Sequence, residues 1–184
     1  MDIFMVKCDV DHYQVLDFVK EDDWDREAKL GLNTGKALAG VWPSFEVEIL
    51  VDDEEDEELL PSDFPCIGGN IPALSAKAVN CLRALLEEHR EILPLQSKKG
   101  EYYAYHSTRV VDVLDMKKSN YDTDRNGRIR EIKKHVFIPQ KIAYLKIFKL
   151  LQNPLDSYVT ESFVRLVQKN NLLGFEFEKV WSGR

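Results

Sequence analysis

The sequence predicts an α+β fold: a single domain with an antiparallel or mixed sheet and a few helices. Three observations carry this. Period-two alternation of apolar and polar residues marks strands at Phe45–Val51 and near the carboxyl end. Two segments with apolar residues at helical spacing open on Ser75 and Thr160. Each of these helices is followed by a strand pattern, and the order of elements favours an α+β domain with few helices. A chain of 184 residues, 44% hydrophobic and 31% charged, is large enough for such a core. A domain near this size buries roughly 70% of the surface of its unfolded chain, so no disulfide framework is needed.

From the amino terminus onward, Ile3-Phe4-Met5-Val6 is too short an apolar run for a secretory signal and lacks a basic flank. Nothing approaches the ~20 apolar residues of a membrane span. Cys8, Cys66 and Cys81 are odd in number and show no C-x-x-C spacing, which suits a reducing compartment. The expectation is a cytoplasmic protein with no membrane contact.

The net charge of −7 hides an internal division. Residues 1–63 hold 19 acids against 5 bases, a net of −14, while residues 64–184 hold 13 acids against 20 bases, a net of +7. One acidic cluster is Glu21, Asp22, Asp23, Asp25 and Glu27. The other is the unbroken run Asp52-Asp53-Glu54-Glu55-Asp56-Glu57-Glu58, whose mutual repulsion keeps it in water. A dense negative segment also speeds encounter with a basic partner over about a Debye length, ~8 Å at physiological salt. These seven residues are the candidate partner-binding site.

The strand Phe45–Val51 leads into that run, and Pro61 to Pro72 follows as a turn-rich connection with Gly68-Gly69 at its bend. Ser75 caps a helix with Ala78, Val79, Leu82, Leu85 and Leu86 on one face. Glu91–Leu95 and Glu101–His106 read as paired strands, and Arg109–Leu114 continues the sheet. Thr160 caps the last helix, with Phe163, Val164 and Val167 inward, and the closing strand places Phe175, Phe177 and Trp181 on one face against Glu176 and Glu178. Leu74 before Ser75 and Val159 before Thr160 each pair with a valine within the first turn, Val79 and Val164, as hydrophobic staples.

The sequence offers little bond-making chemistry. Asp122-Thr123-Asp124-Arg125-Asn126-Gly127-Arg128-Ile129 imitates a calcium loop, but Lys133 stands where a bidentate carboxylate is required. Asn126-Gly127 between strand-like segments is a hairpin signal instead. Gly31-Leu32-Asn33-Thr34-Gly35-Lys36-Ala37 is one residue short of a P-loop and lacks its hydroxyl. His12, His89, His106 and His135 are scattered, so no metal site, cofactor site or catalytic residue is assigned. Two rival readings stand beside protein binding. One is a small-molecule-binding or catalytic domain using the Cys66–Asn70 bend. The other is nucleic-acid binding through the basic stretch Lys117–Lys149, which the overall acidity and the lack of any helix-turn-helix, zinc-finger or RNA-recognition signature disfavour.

The order of motifs carries a resemblance. Trp42-Pro43, the Asp63–Pro72 turn, Leu74-Ser75, Gly100-Glu101-Tyr102-Tyr103, Arg109–Asp115 and the closing Leu173-Gly174-Phe175-Glu176-Phe177-Glu178-Lys179-Val180-Trp181 resemble a bacterial immunity-protein family of polymorphic toxin systems, once known only as a domain of unknown function. The likeness spans residues 40–181. It implies a small α+β protein, made by the toxin-producing cell, that binds and blocks a cognate toxin domain. It implies no catalysis, and no functional residue is carried over from it. Residues 1–184 are then expected to form one immunity-type domain, with an acidic part at 1–60 and a family core at 61–184 containing two helix-strand units.

Overall fold

Ile3-Phe4-Met5-Val6 is short, partly β-branched and apolar throughout, a composition that suits a strand buried on both faces. In the computed structural model, which describes residues 1–32, 35–50, 59–86 and 90–183, this segment lies inside the main sheet. The first half of the chain contributes β1 (Asp2–Cys8), β2 (Leu16–Phe18), α1 (Asp22–Leu30), β3 (Val47–Ile49), β4 (Ala73–Ser75), α2 (Ala76–Leu86) and β5 (Arg90–Leu95). The second half contributes β6 (Tyr102–Ser107), β7 (Val110–Val111), β8 (Asn120–Thr123), β9 (Ile129–Lys134), α3 (Pro139–Ile142), β10 (Ile147–Leu150), β11 (Ser157–Thr160), α4 (Glu161–Lys169) and β12 (Phe175–Ser182).

The main sheet runs β12-β1-β11-β10-β7, antiparallel except for the β10–β7 pair, so it is mixed. A three-stranded sheet, β4-β6-β5, and two-stranded ribbons β2-β3 and β8-β9 complete the α+β architecture. Alternation splits the main sheet into two faces. Val6, Ile147 and Val159 point to α2 and α4, where Leu74, Leu82, Leu86, Phe163 and Val164 close a core. Ile3, Phe148, Leu150 and Tyr158 point the other way, onto Val113, Phe137, Ile142 and Leu145. A third core joins Leu16, Phe45, Val47, Ile67 and Leu93 around the smaller sheets. Burying each such side chain contributes roughly 1.5–3 kcal/mol.

Both stapled helices start straight from a strand, α2 from β4 and α4 from β11, and they pack on each other. Ser75 acts as the expected cap, its Oγ accepting the Ala78 N–H at 3.1 Å. Thr160 holds the cap position without that bond, and its hydroxyl lies 2.9 Å from Ser162 Oγ. Asp63 fastens the preceding turn. Its carboxylate accepts from Ser75 Oγ (2.7 Å), Lys77 Nζ (2.8 Å) and the Leu173 N–H (3.0 Å). Burial alone would raise its pKa, but these donors outweigh burial and hold it below the usual range.

Several expectations are refined. The strand expected at Phe45–Val51 is confined to Val47–Ile49, where it pairs with β2, and Val51 lies outside the described residues. The cluster Glu21–Glu27 forms α1, whose first turn gathers Asp22, Asp23 and Asp25 at the positive end of the helix dipole. Phe175, Phe177 and Trp181 do not share a face. A bulge between the Phe4–Lys179 and Ile3–Trp181 pairs inserts Val180, leaving both phenylalanines on the helix side and Trp181 on the Phe137 side.

The cysteine count did not anticipate a bridge between Cys8 and Cys66, 58 residues apart and with Cα atoms 6.1 Å apart. It ties the end of β1 to the Pro61–Pro72 turn, while Cys81 stays a free thiol. At the bend of that turn Gly68 has φ +57°, and a Cβ there would strike the Trp24 ring.

Candidate functional site

The seven candidate contact residues, Asp52, Asp53, Glu54, Glu55, Asp56, Glu57 and Glu58, lie outside the described residues. Their flanks are described and are tied to one stretch of chain. Leu50 donates its N–H to Val15 O at 2.9 Å, and Leu60 exchanges backbone bonds with His12 O (3.1 Å) and the Gln14 N–H (2.8 Å). The neighbourhood of those anchors is itself acidic, with Asp9, Asp11 and Asp17 close in sequence. Asp9 accepts a bond from His12 and raises the pKa of that exposed imidazole.

The Cys66–Asn70 bend offers no nucleophile. Cys66 is 4% exposed and bonded to Cys8, and Ile67 beside it is fully buried and linked to Ile71 in both directions. A thiolate is the reactive form of cysteine, and a sulfur held in a buried disulfide supplies none.

The segment that imitated a calcium loop is the β8–β9 hairpin. Asp124 Oδ1 accepts the N–H groups of Asn126 (2.8 Å) and Arg128 (2.9 Å), and Asp122 pairs with the ammonium of Lys133. The lysine that disqualified the loop thus neutralises one of its own carboxylates. Part of the wider basic stretch 117–149 is engaged within the fold. Lys118 pairs with Asp115, Lys141 donates to Asp112 O at 3.0 Å, and Lys149 is buried in β10. Arg125, Arg128 and Arg130 stay exposed on the hairpin.

Beneath β9, on the side of the main sheet away from α2 and α4, opens a cleft of about 550 Å³. Met5, Lys7, His135, Asp156 and Glu178 line it. Tyr158 lies against it, fully buried, with its hydroxyl 3.0 Å from His135 Nε2. Burial holds the His135 imidazole below its usual pKa although the Glu178 carboxylate pulls the other way. Burial pushes the Asp156 carboxyl up, against the pull of the Lys7 and Lys149 ammonium groups, and Glu178 adds to the rise. Asn153 Nδ2 donates to Asp156 at 2.9 Å, and Lys7 Nζ reaches Glu178 at 2.7 Å. Burial lowers the Lys149 ammonium to about 8, with Asp156 opposing. Titratable groups gathered in a cleft with displaced protonation are a mark of functional surfaces. Chemically, this one offers carboxylates and ammonium groups at the mouth and a hydrogen-bonded His-Tyr pair at the base.

Sequence reasoning did not find this cluster. The lining comes from β1, β9, the turn before β11 and β12, and no sequence spacing relates them; Lys149, one charge inside the apolar run Ile147-Phe148-Lys149-Leu150, lies on the helix side of the sheet in register with Ser157. Among the described residues no group of three or more His, Cys, Asp or Glu side chains could hold a metal ion. No described helix is long and apolar enough to cross a membrane.

No curated protein matches the chain. Residues 90–182, half of the sequence and the part that contains the hairpin, most of the cleft lining and β12, match the immunity protein family Imm11, and the chain belongs to that family.

Proposed function

We propose that this chain neutralises a cognate bacterial toxin domain by direct protein–protein contact. The observation that carries the reading is its membership of an immunity family through residues 90–182. On this reading residues 1–184 act as one non-catalytic domain in the cytoplasm of the toxin-producing cell, within a polymorphic toxin system used in interbacterial competition. Inhibition of this kind requires a stable scaffold and a complementary surface, and no reacting group.

Asp52–Glu58 is the contact segment proposed to draw in a basic toxin. Carboxylates at that density raise the encounter rate, and salt screens the effect. The test is co-expression with the reading frame beside this gene. Growth should stop when that frame is expressed alone and resume, with a stable complex, when this chain is supplied. Replacing Asp52–Glu58 by serine and glycine should slow association and flatten its salt dependence. Unchanged affinity and salt dependence would reduce the segment to a solvated insert.

A further inference from the structure

β12 ends the main sheet, and its eight residues are bonded on one side only, to β1. Among the described residues no other segment pairs with its outer side. A strand edge of this length is a template for another strand, and Glu176, Glu178, Lys179 and the bulge at Val180 restrict what can pair with it. Its side chains make two distinct rows. Phe175 and Phe177 face the helix side and are partly buried against the core, whereas Glu176 and Glu178 face the cleft side and are exposed. Glu178 stands at the cleft mouth with Asp156 close enough to feel its charge, and Glu176 makes no ion pair among the described residues.

A second copy of the chain meets like charges in the registers centred on the middle of this edge. On a two-fold axis normal to the sheet, a strand meets its own copy only in registers centred on a residue, because facing side chains point the same way. Registers centred on Glu176, Phe177, Glu178 or Lys179 set Glu176 against itself, Glu176 against Glu178, Glu178 against itself, or Lys179 against itself. Like charges directly opposite are destabilising.

We infer that the β12 edge docks an extended segment of the toxin by strand addition, the segment alternating basic side chains opposite Glu176 and Glu178 with apolar ones beside Phe175 and Phe177. Main-chain bonds would provide affinity and the two side-chain rows would provide selectivity. This inference rests on the immunity reading and assigns it a surface.

The test has two arms. In the first, a short synthetic peptide alternating lysine with valine, and its counterpart with glutamate for lysine, are titrated against the full chain while amide hydrogen exchange is followed. The lysine peptide should bind and slow exchange along 175–182, the glutamate peptide should not, and Glu176→Lys with Glu178→Lys should weaken binding about tenfold or more. Glu176→Lys alone serves if the double variant is unstable. Absence of binding, protection elsewhere, binding indifferent to the reversal, or a dimer of the chain alone would overturn the inference. In the second arm, the variants are tested for rescue of growth. If the wild-type chain rescues and the reversed chain rescues equally, the edge is refuted and immunity stands. If the wild-type chain fails to rescue, the immunity reading itself falls, and the peptide arm still reports on the edge.

Discussion

The two faces of the main sheet differ in what they bury. The face toward α2 and α4 is mainly apolar, with Val6, Ile147 and Val159 meeting Leu82, Phe163 and Val167, and the paired Lys149 and Ser157 are its buried polar exceptions. The opposite face starts the same way, with Ile3, Phe148 and Tyr158 under Phe137, and then turns charged where Lys7, Asp156 and Glu178 line the cleft. One face holds the fold together, while the other surrenders part of its cover to leave ionisable groups at a surface. Stability should therefore be concentrated on the first face, and sensitivity to pH and to partners on the second.

The largest effect should come from the helix side. Phe163→Ala removes a ring that meets Phe175 and Phe177 edge-on, and it should cost about 3–5 kcal/mol in urea unfolding. A loss under about 1 kcal/mol would mean that this face is looser than its packing implies.

An intermediate effect should appear on the cleft side as a pH dependence. Burial keeps the His135 imidazole lower in pKa than in the unfolded chain. As the pH falls below about 6.5, the unfolded state takes up the proton first, so stability declines until the folded imidazole is protonated too. Lys7, Glu131, Lys133, Asp156, Glu178 and Lys179 also line that cleft, so the comparison is made against His135→Gln, which keeps a polar partner for the Tyr158 hydroxyl. The variant should lose part of the slope of stability between about pH 7 and 5. An unchanged slope would assign the dependence to the surrounding carboxylates.

The smallest effect should be Glu178→Gln. Its ion pair with Lys7 is half-exposed, with side chains 47% and 52% accessible, and such pairs contribute about 0–1 kcal/mol. The melting temperature should barely move, although the same position governs the docking proposed at β12.

Much of the fold was legible because its signals are local. Ser75 and the apolar stripe from Ala78 to Leu86 marked α2, the apolar and aromatic runs Glu91–Leu95 and Glu101–His106 joined over Lys98-Lys99-Gly100 marked β5 and β6, and Asn126-Gly127 with Lys133 distinguished a hairpin from a calcium loop. Interior strands were harder. β10 and β11 have four residues each and are buried throughout, so they show no alternation to read. The Cys8–Cys66 bridge, the bulge that turns Trp181 to the far face and the cleft around Asp156 all depend on residues distant in sequence.

The α+β class, both stapled helix starts and the hairpin were readable from propensities acting over a few neighbouring residues, and the division of charge from composition alone. That β12 stands at an open edge, that Glu178 lines a cleft and that a buried lysine lies near Asp156 came from the three-dimensional packing. Those outcomes depend on which strands pair and in which register, and pairing between distant segments is settled by the packing of the whole core.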